Sequence, residues 1–551
     1  MNLRKILCML LTGAMTLAAA GCSGSGQSSP PQAAPSGGAA SAPASSTADA
    51  PSASEEAQPE EKTVSYPIAE AEGVTLTYWR PLPPPAAKHY TNYAETEIYQ
   101  EIMKRTGVNL EFTHPTAGEE KAQFNLMVAS GDFPDIVQQM DYYTGGPSAS
   151  VADGLCIDLT PMLEEYAPDY YRAIRSTDKI YREATDADER VSAFGLIKDR
   201  MPPFQRAAIQ NAVMDELGIE KIPETIAEYE AAFEKMKAAG IQGICPPKNG
   251  YMIMFSRAFD AKNGWHLDKE GKVVFGQLQD GFKEYIDMLH AWYEKGYISP
   301  DFMSLSDQDK GALFDQKMLG IFLNPVDLTY TRAKAAGYEF EVLPYPRKEL
   351  GQALHMEEVS VNNIEGHWTS VTTASKYPEI AVQYLNYGYS EEGAELFNYG
   401  IEGLSWNWEG DKRVFTDHML NNPEIDRAAA QHVLKLHQLP KFSDPDILCN
   451  PNVIGDAKAL ELRMKYSDDT TIDNSMILPP IQLTQEQNAE RAKIMSEINT
   501  YADEMVLKFI TGSAPMSDWD AFKEQIQSMN IDRAREITQQ AYDSYMSKAV
   551  N

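Results

Sequence analysis

The stretch from Val74 to Phe112 leaves this chain the fewest folding options. Val74, Leu76 and Tyr78 alternate with Thr75 and Thr77, a helical pattern spans about 95–105, and Val108, Leu110 and Phe112 alternate again. A two-residue period places alternate side chains on one face of a strand, and a 3.6-residue period makes a helical stripe, so the segment reads strand, helix, strand. A second helix, about 119–130, leads through Gly131-Asp132-Phe133-Pro134-Asp135 into the short apolar run Ile136-Val137. Strands separated by helices imply a parallel sheet, and ligands of such sheets sit beyond the strand C-termini. Trp79-Arg80 and the Asp132–Asp135 loop fall at or near such ends.

Further along, helices dominate. Thr225 and Glu228 have capping-box spacing, Ile226, Tyr229, Phe233 and Met236 repeat at helical intervals, and Gly240 ends the run. Phe282, Tyr285, Leu289 and Trp292 mark another helix, and Pro378 suits the start of a third. The strongest pattern lies late: Thr484 and Gln487 for the cap, Ile494, Ile498, Tyr501, Met505 and Phe509 for the stripe, Gly512 for the stop. Such stripes are expected to be core.

Across 551 residues, 48 Lys and Arg face 80 Asp and Glu, a formal charge of −32. That balance argues against a nucleic-acid partner, whose phosphates require a basic face, and reads instead as a solvating surface. Net charge does not decide whether an anionic ligand is accepted, because a local Arg80 or Arg257 can overrule it. At the N-terminus, Arg4-Lys5 precede an apolar stretch from Ile6 to Ala20, followed by Gly21-Cys22. The stretch is short for a membrane span and suits a signal-peptide core. Small residues ahead of a cysteine resemble a bacterial lipobox, so cleavage before Cys22 and acylation of its thiol are expected, with 1–21 as leader. From Ser23 to Ser54, 28 of 32 residues are Ser, Ala, Gly or Pro. That composition buries too little apolar area to fold and is expected to form a tether, taken here as 22–72.

Catalytic signatures are nearly absent. There is no GxxxxGK[ST], HExxH or GxSxG pattern. Asp268-Lys269-Glu270-Gly271-Lys272 superficially resembles a calcium loop but lacks the later glutamate, and a β-turn between two strands explains it better. Cys156, Cys245 and Cys449 are too few and too far apart for a disulfide framework or a zinc site, although one bridge among them stays open. No metal or other cofactor is expected.

The whole body, rather than one motif, resembles a family. Met127–Ile136, Met214-Asp215-Glu216-Leu217-Gly218 with Ile222-Pro223-Glu224-Thr225, Tyr399-Gly400-Ile401-Glu402-Gly403 and Ile498-Asn499-Thr500-Tyr501 are similar to segments of lipid-anchored extracellular solute-binding proteins (family 1) of Gram-positive carbohydrate ABC transporters. The resemblance implies an α/β fold of two periplasmic-binding-protein-like lobes with a hinge and an interlobe ligand cleft. It also implies a monomeric, non-catalytic receptor outside the cytoplasmic membrane, held there by its lipid anchor alone and delivering an oligosaccharide or derivatised sugar to permease subunits. Relatives often carry an aspartate- and glycine-rich calcium loop after the helix that here ends at Gly240, where this chain reads Ile241-Gln242-Gly243-Ile244-Cys245-Pro246-Pro247.

Expected lobes are 73–195 plus about 355–405, and about 196–354 plus 406–551, with crossings near 190–205, 345–365 and 403–410. Sugars stack their C–H faces on aromatic rings and bond their hydroxyls to charged or amide groups. The expected ligand contacts are therefore Trp79, Arg80, Asp132, Tyr142, Trp265, Trp368, Glu402 and Trp406. Each tryptophan suits core packing equally well, and Asp132 suits a turn. A surface polysaccharide-degrading enzyme, and a receptor for peptides or other solutes, remain the alternatives.

Overall fold

Two sheets, each backed by its own apolar core, organise the body of the chain. The structure is a computed structural model that describes residues 62–198, 205–356, 363–445, 447, 457–467 and 469–550. The leader, the acylation of Cys22 and the Ser23–Ser54 tether, all expected from the sequence, lie outside the described residues, as do Cys449 and parts of the crossings expected near 190–205 and 345–365.

In chain order the strands are β1 (Thr75–Trp79), β2 (Asn109–Thr113), β3 (Ile136–Gln138), β4 (Phe194–Ile197) and β5 (Gln205–Gln210). Then come β6 (Gln242–Ile244), β7 (Trp265–Leu267), β8 (Val273–Phe275), β9 (Leu319–Pro325) and β10 (Phe340–Val342). The last are β11 (Ile364–Val371), β12 (Trp406–Glu409), β13 (Lys412–Phe415) and β14 (Lys441–Phe442). The first sheet has the order β14-β4-β11-β3-β1-β2 and the second β10-β5-β9-β6. The opening strand–helix–strand unit forms as the periodicity requires: Leu76 and Tyr78 are buried, the helix runs Glu97–Thr106, and β1 pairs in parallel with β2 and β3.

One strand in each sheet runs against the rest, and this fixes where the lobes meet. β11 is antiparallel to β3 and β4, and β5 is antiparallel to β9 and β10. Residues 199–204 join the end of β4 to the start of β5, and residues 357–362 precede the start of β11. Because the reversed strands begin where their neighbours finish, both crossings leave from the C-terminal edges of the other strands. The chain beyond β14 departs from the same edge of the first sheet, since β14 is parallel to β4. Those edges are where α/β sheets offer ligand sites.

The third crossing differs from expectation. Trp406, Phe415, Met419, Ala429 and Leu439 belong to the same core as Leu76, Ile102 and Phe194, so residues 406–447 stay in the first lobe. The glycines that suggested a crossing at 403–410 instead make turns: Gly403 N–H donates to the Trp406 carbonyl at 2.8 Å, and Gly410, at φ +68°, turns β12 into β13. The second core gathers Ile209, Phe233, Ile244, Trp292 and Ile321 with Ile498, Phe509 and Trp519 of the C-terminal helices.

Local signals appear where capping chemistry requires them. Capping boxes close at Thr225–Glu228 and Thr484–Gln487, at the heads of helices Ile226–Ala238 and Gln485–Ile510. Asp268 accepts the N–H groups of Glu270 and Lys272, which makes 268–272 the turn between β7 and β8. Cys156 and Cys245 are free, buried thiols in different cores. After the last helix, Ile531–Ser547, the tail returns to the first lobe: Lys548 Nζ donates to the carbonyls of Thr185 and Asp186 at 2.9 and 3.0 Å, and Arg182 Nε donates to the Lys548 carbonyl at 2.7 Å.

Candidate functional site at the facing strand ends

In the first lobe, β3 ends at Gln138 and is followed by Gln139, Met140 and Asp141. Gln138 is buried and donates Nε2–H to the Gln438 carbonyl at 2.9 Å. Gln139 adopts φ +67°, and opposite it His367 adopts φ +61° within an irregularity of β11 between Glu365 and Thr369. Left-handed backbone is costly for residues other than glycine, and it gathers at binding and switch sites. The bulge turns Gln139, Asp141, His367 and Trp368 toward one another: Gln139 Nε2 lies 3.4 Å from His367 Nδ1. Burial raises the Asp141 carboxyl above its ordinary range, and burial lowers the neighbouring His367. A carboxylate, an amide and a neutral imidazole beside a half-buried indole form a set of acceptors and donors suited to hydroxyls.

Trp368 lies across β4 because Gly195 leaves room. A Cβ at Gly195 would stand 2.7 Å from its ring. Tyr142, also half-buried, meets Phe124 edge-on at 5.8 Å. Beside this edge, helix Arg427–Val433 and the residues that follow it carry buried basic side chains. Burial, reinforced by Arg80 and Lys435, holds His432 down to about 4, and burial holds Lys435 down to about 7.

The second lobe presents a different chemistry at its strand ends. Arg206, near the start of β5, and Arg257 both place their guanidinium groups over the Tyr345 ring, 4.1 and 3.9 Å from its centroid. Tyr345 lies just beyond β10, after Leu343, whose N–H donates to the Ala207 carbonyl at 2.8 Å. The neighbouring β7 is tied in through the Leu267 N–H, which donates to the Met476 carbonyl at 2.9 Å. Met476 packs with Met356, the last described residue before the crossing at 357–362, and this brings the strand carrying Trp265 toward the same edge.

Three expected contacts are withdrawn into the lobes. Trp406 is 1% exposed, with its Nε1–H donating to the Gly400 carbonyl at 3.0 Å, so it is core. Trp79 is enclosed with Phe124, Val137 and Met140, because the last residue of β1 still faces the covering helix. Arg80 is buried with its guanidinium 4.0 Å over Tyr93 and donating to the Tyr99 hydroxyl. Asp132 is exposed beyond helix Glu120–Ser130, its N–H donating to Ser130 Oγ at 3.3 Å, and Glu402 is exposed in the turn before β12. The structure thus brings Trp368 and Tyr142 together in the first lobe and draws Trp265 toward the edge of the second. Gln139, Asp141, His367, Arg206 and Tyr345 escaped sequence reasoning; Gln139, Asp141 and Tyr345 follow strand ends, whereas Arg206 and His367 lie inside β5 and β11.

Residues 97–400 match the family model of the bacterial extracellular solute-binding proteins. The chain belongs to that family. As a solute-binding protein it is 21% identical over 541 residues to a fructooligosaccharide ABC transporter substrate-binding protein of Streptococcus pneumoniae, covering 88% of this chain and 95% of the relative. It is also 21% identical over 448 residues to a polygalacturonan/rhamnogalacturonan-binding protein of Bacillus subtilis, covering 78% and 84%. Among solved structures, an alginate-binding protein without calcium ion superposes with a TM-score of 0.67 at 19% identity, covering 88% of this chain and all of that one. A solute-binding protein from Bifidobacterium longum infantis described as binding HMO gives 0.68 at 17% identity, covering 86% and 99%. These neighbours place this solute-binding protein in the two-lobe periplasmic-binding-protein-like fold.

Proposed function

We propose that this protein is the extracellular receptor of an ABC importer, capturing an oligosaccharide or derivatised sugar between its lobes and presenting it to membrane permeases. The observation that carries this reading is topological: in two separately cored lobes, the crossing segments leave from the strand ends that hold Asp141, His367 and Trp368 on one side and Arg206, Tyr345 and Arg257 on the other. A solute that touches both sets binds the closed arrangement more tightly than the open one. Closure is then the signal a permease reads. The names of the relatives, two of them substrate-binding proteins of carbohydrate ABC transporters and one a polygalacturonan/rhamnogalacturonan-binding protein, support a sugar as that solute.

Trp368 and Tyr142, with Trp265 opposite, are assigned to stacking on pyranose faces, and Glu402 to an outlying hydroxyl; Asp132 precedes β3, at the opposite edge of the sheet from Gln139, and is left out of the site. Gln139, Asp141 and His367 bond the hydroxyls nearest the sheet. The receptor acts as a monomer without catalysis, and acylation at Cys22 with the following tether holds it beside its permeases at raised effective concentration. The test is calorimetry and thermal shift of the purified body against a broad glycan panel, with scattering to follow closure. Binding of an intact oligosaccharide with a decrease in radius of gyration is the expected result. New reducing ends or unsaturated products would instead establish the enzyme reading, and stabilisation by peptides alone a non-sugar receptor.

A further inference from the structure

We infer that the sugar carries a carboxylate and that Arg257 of the second lobe receives it. This assignment rests on the oligosaccharide reading above and names its ligand class.

Buried arginines in this protein fall into two groups. Arg347 and Arg463 are bridged: Arg347 Nη2 to Asp469 at 2.5 Å and Arg463 Nη1 to Asp327 at 3.3 Å. Arg257 is more deeply buried than either, at 2% exposed, and its Nε and Nη1 are sealed from solvent without a hydrogen-bond partner. Among the described residues no carboxylate bridges it. Its contact is the Tyr345 ring, a face shared with Arg206, so two like charges converge there.

Arginine does not lose its proton in a protein. A buried cation without an anion carries a penalty of several kcal/mol, of which a ring face offsets only a part. Among the described residues no acidic side chain supplies Arg257 with a counter-charge. The guanidinium fork matches a carboxylate in plane and spacing, so the missing anion has the geometry of a uronate.

The first lobe orients such a ligand. Asp141 and Glu365 flank His367 there and would repel a carboxylate, while accepting hydroxyls readily. The sugar therefore enters with its hydroxyls toward β3 and β11 and its carboxylate toward Arg257.

The experiment compares short oligogalacturonates and oligomannuronates with the same chains after reduction of each carboxyl to a primary alcohol, by calorimetry on the intact protein. At least one acidic series is expected to bind, its reduced counterpart roughly ten- to hundredfold more weakly, the range set by a charge-assisted bond. Arg257→Gln should remove that preference, while Arg257→Lys, which keeps charge and loses the fork, should retain part of it. A neutral oligosaccharide that binds as well as or better than every acid would overturn the carboxylate assignment and leave the oligosaccharide reading intact. Failure of every sugar, acidic or neutral, would remove both. Should the variants not fold, the comparison of acid with reduced chain on the unaltered protein decides the matter alone.

Discussion

Replacing Trp406 by alanine separates a core residue from a ligand contact. The indole is 1% exposed, packs 5.9 Å from Tyr399, and donates Nε1–H to the Gly400 carbonyl at 3.0 Å. A tryptophan buries on the order of 200 Å². At about 25 cal/mol per Å² that is about 5 kcal/mol, an upper bound because alanine keeps part of the contact and the unfolded chain already buries some. The lost hydrogen bond leaves the Gly400 carbonyl without that donor and adds about 1 kcal/mol. Aromatic-to-alanine changes in cores cost about 3–5 kcal/mol, so the expected loss is near 4 kcal/mol, confined to the first lobe. Urea unfolding followed by fluorescence, alongside Trp408→Ala as the exposed neighbour on the same hairpin, is the assay. Trp406→Ala should lower the midpoint of the first lobe's transition strongly and Trp408→Ala hardly at all. Unchanged stability in Trp406→Ala, with sugar binding abolished, would refute the core assignment and return this residue to the site.

Trp368→Ala should weaken sugar binding by at least roughly tenfold in calorimetry, from loss of a stacking face, with a smaller stability cost than Trp406→Ala because the indole is only half-buried. Equal affinity would take it out of the site. His432 makes the first lobe acid-sensitive: its folded value lies near 4 against about 6.5 unfolded, so the unfolded chain alone takes up the proton between those pH values. Stability from this group is complete above about 6.5 and falls as pH drops toward 4, by up to about 3 kcal/mol. Unfolding free energies of the protein and of His432→Gln, measured at pH 7.5 and 4.5, should therefore differ in slope, and parallel slopes would exclude the effect. Arg257→Met should melt at or above the temperature of the unaltered protein without ligand, because it removes an unpaired buried charge; a large decrease would mean that an unseen partner had been lost.

Much of the fold was legible because local rules act on neighbours in sequence. The alternation at Val74–Tyr78, the capping boxes at Thr225 and Thr484, and the turn at Asp268 each involve residues within a few positions of one another. The site was legible only in part. Trp79 and Trp406 satisfied the same compositional rule as Trp368, and aromatic chemistry alone does not say which ring faces the edge and which faces a helix. Gln139 and His367 lie 228 positions apart and meet only because β11 runs antiparallel beside β3 with a bulge at the meeting point.

The amino-acid sequence by itself determined that the chain would open as α/β structure and end in helices, because period, caps and breakers are local. Tertiary structure alone decided that residues 406–447 remain with the first lobe, that Gly195 makes a slot for Trp368, and that Arg257 is buried over Tyr345 while Arg347 finds Asp469. Each of those outcomes depends on pairing between distant segments. A buried charge or ring acquires its meaning from whatever the rest of the chain places within a few ångströms of it.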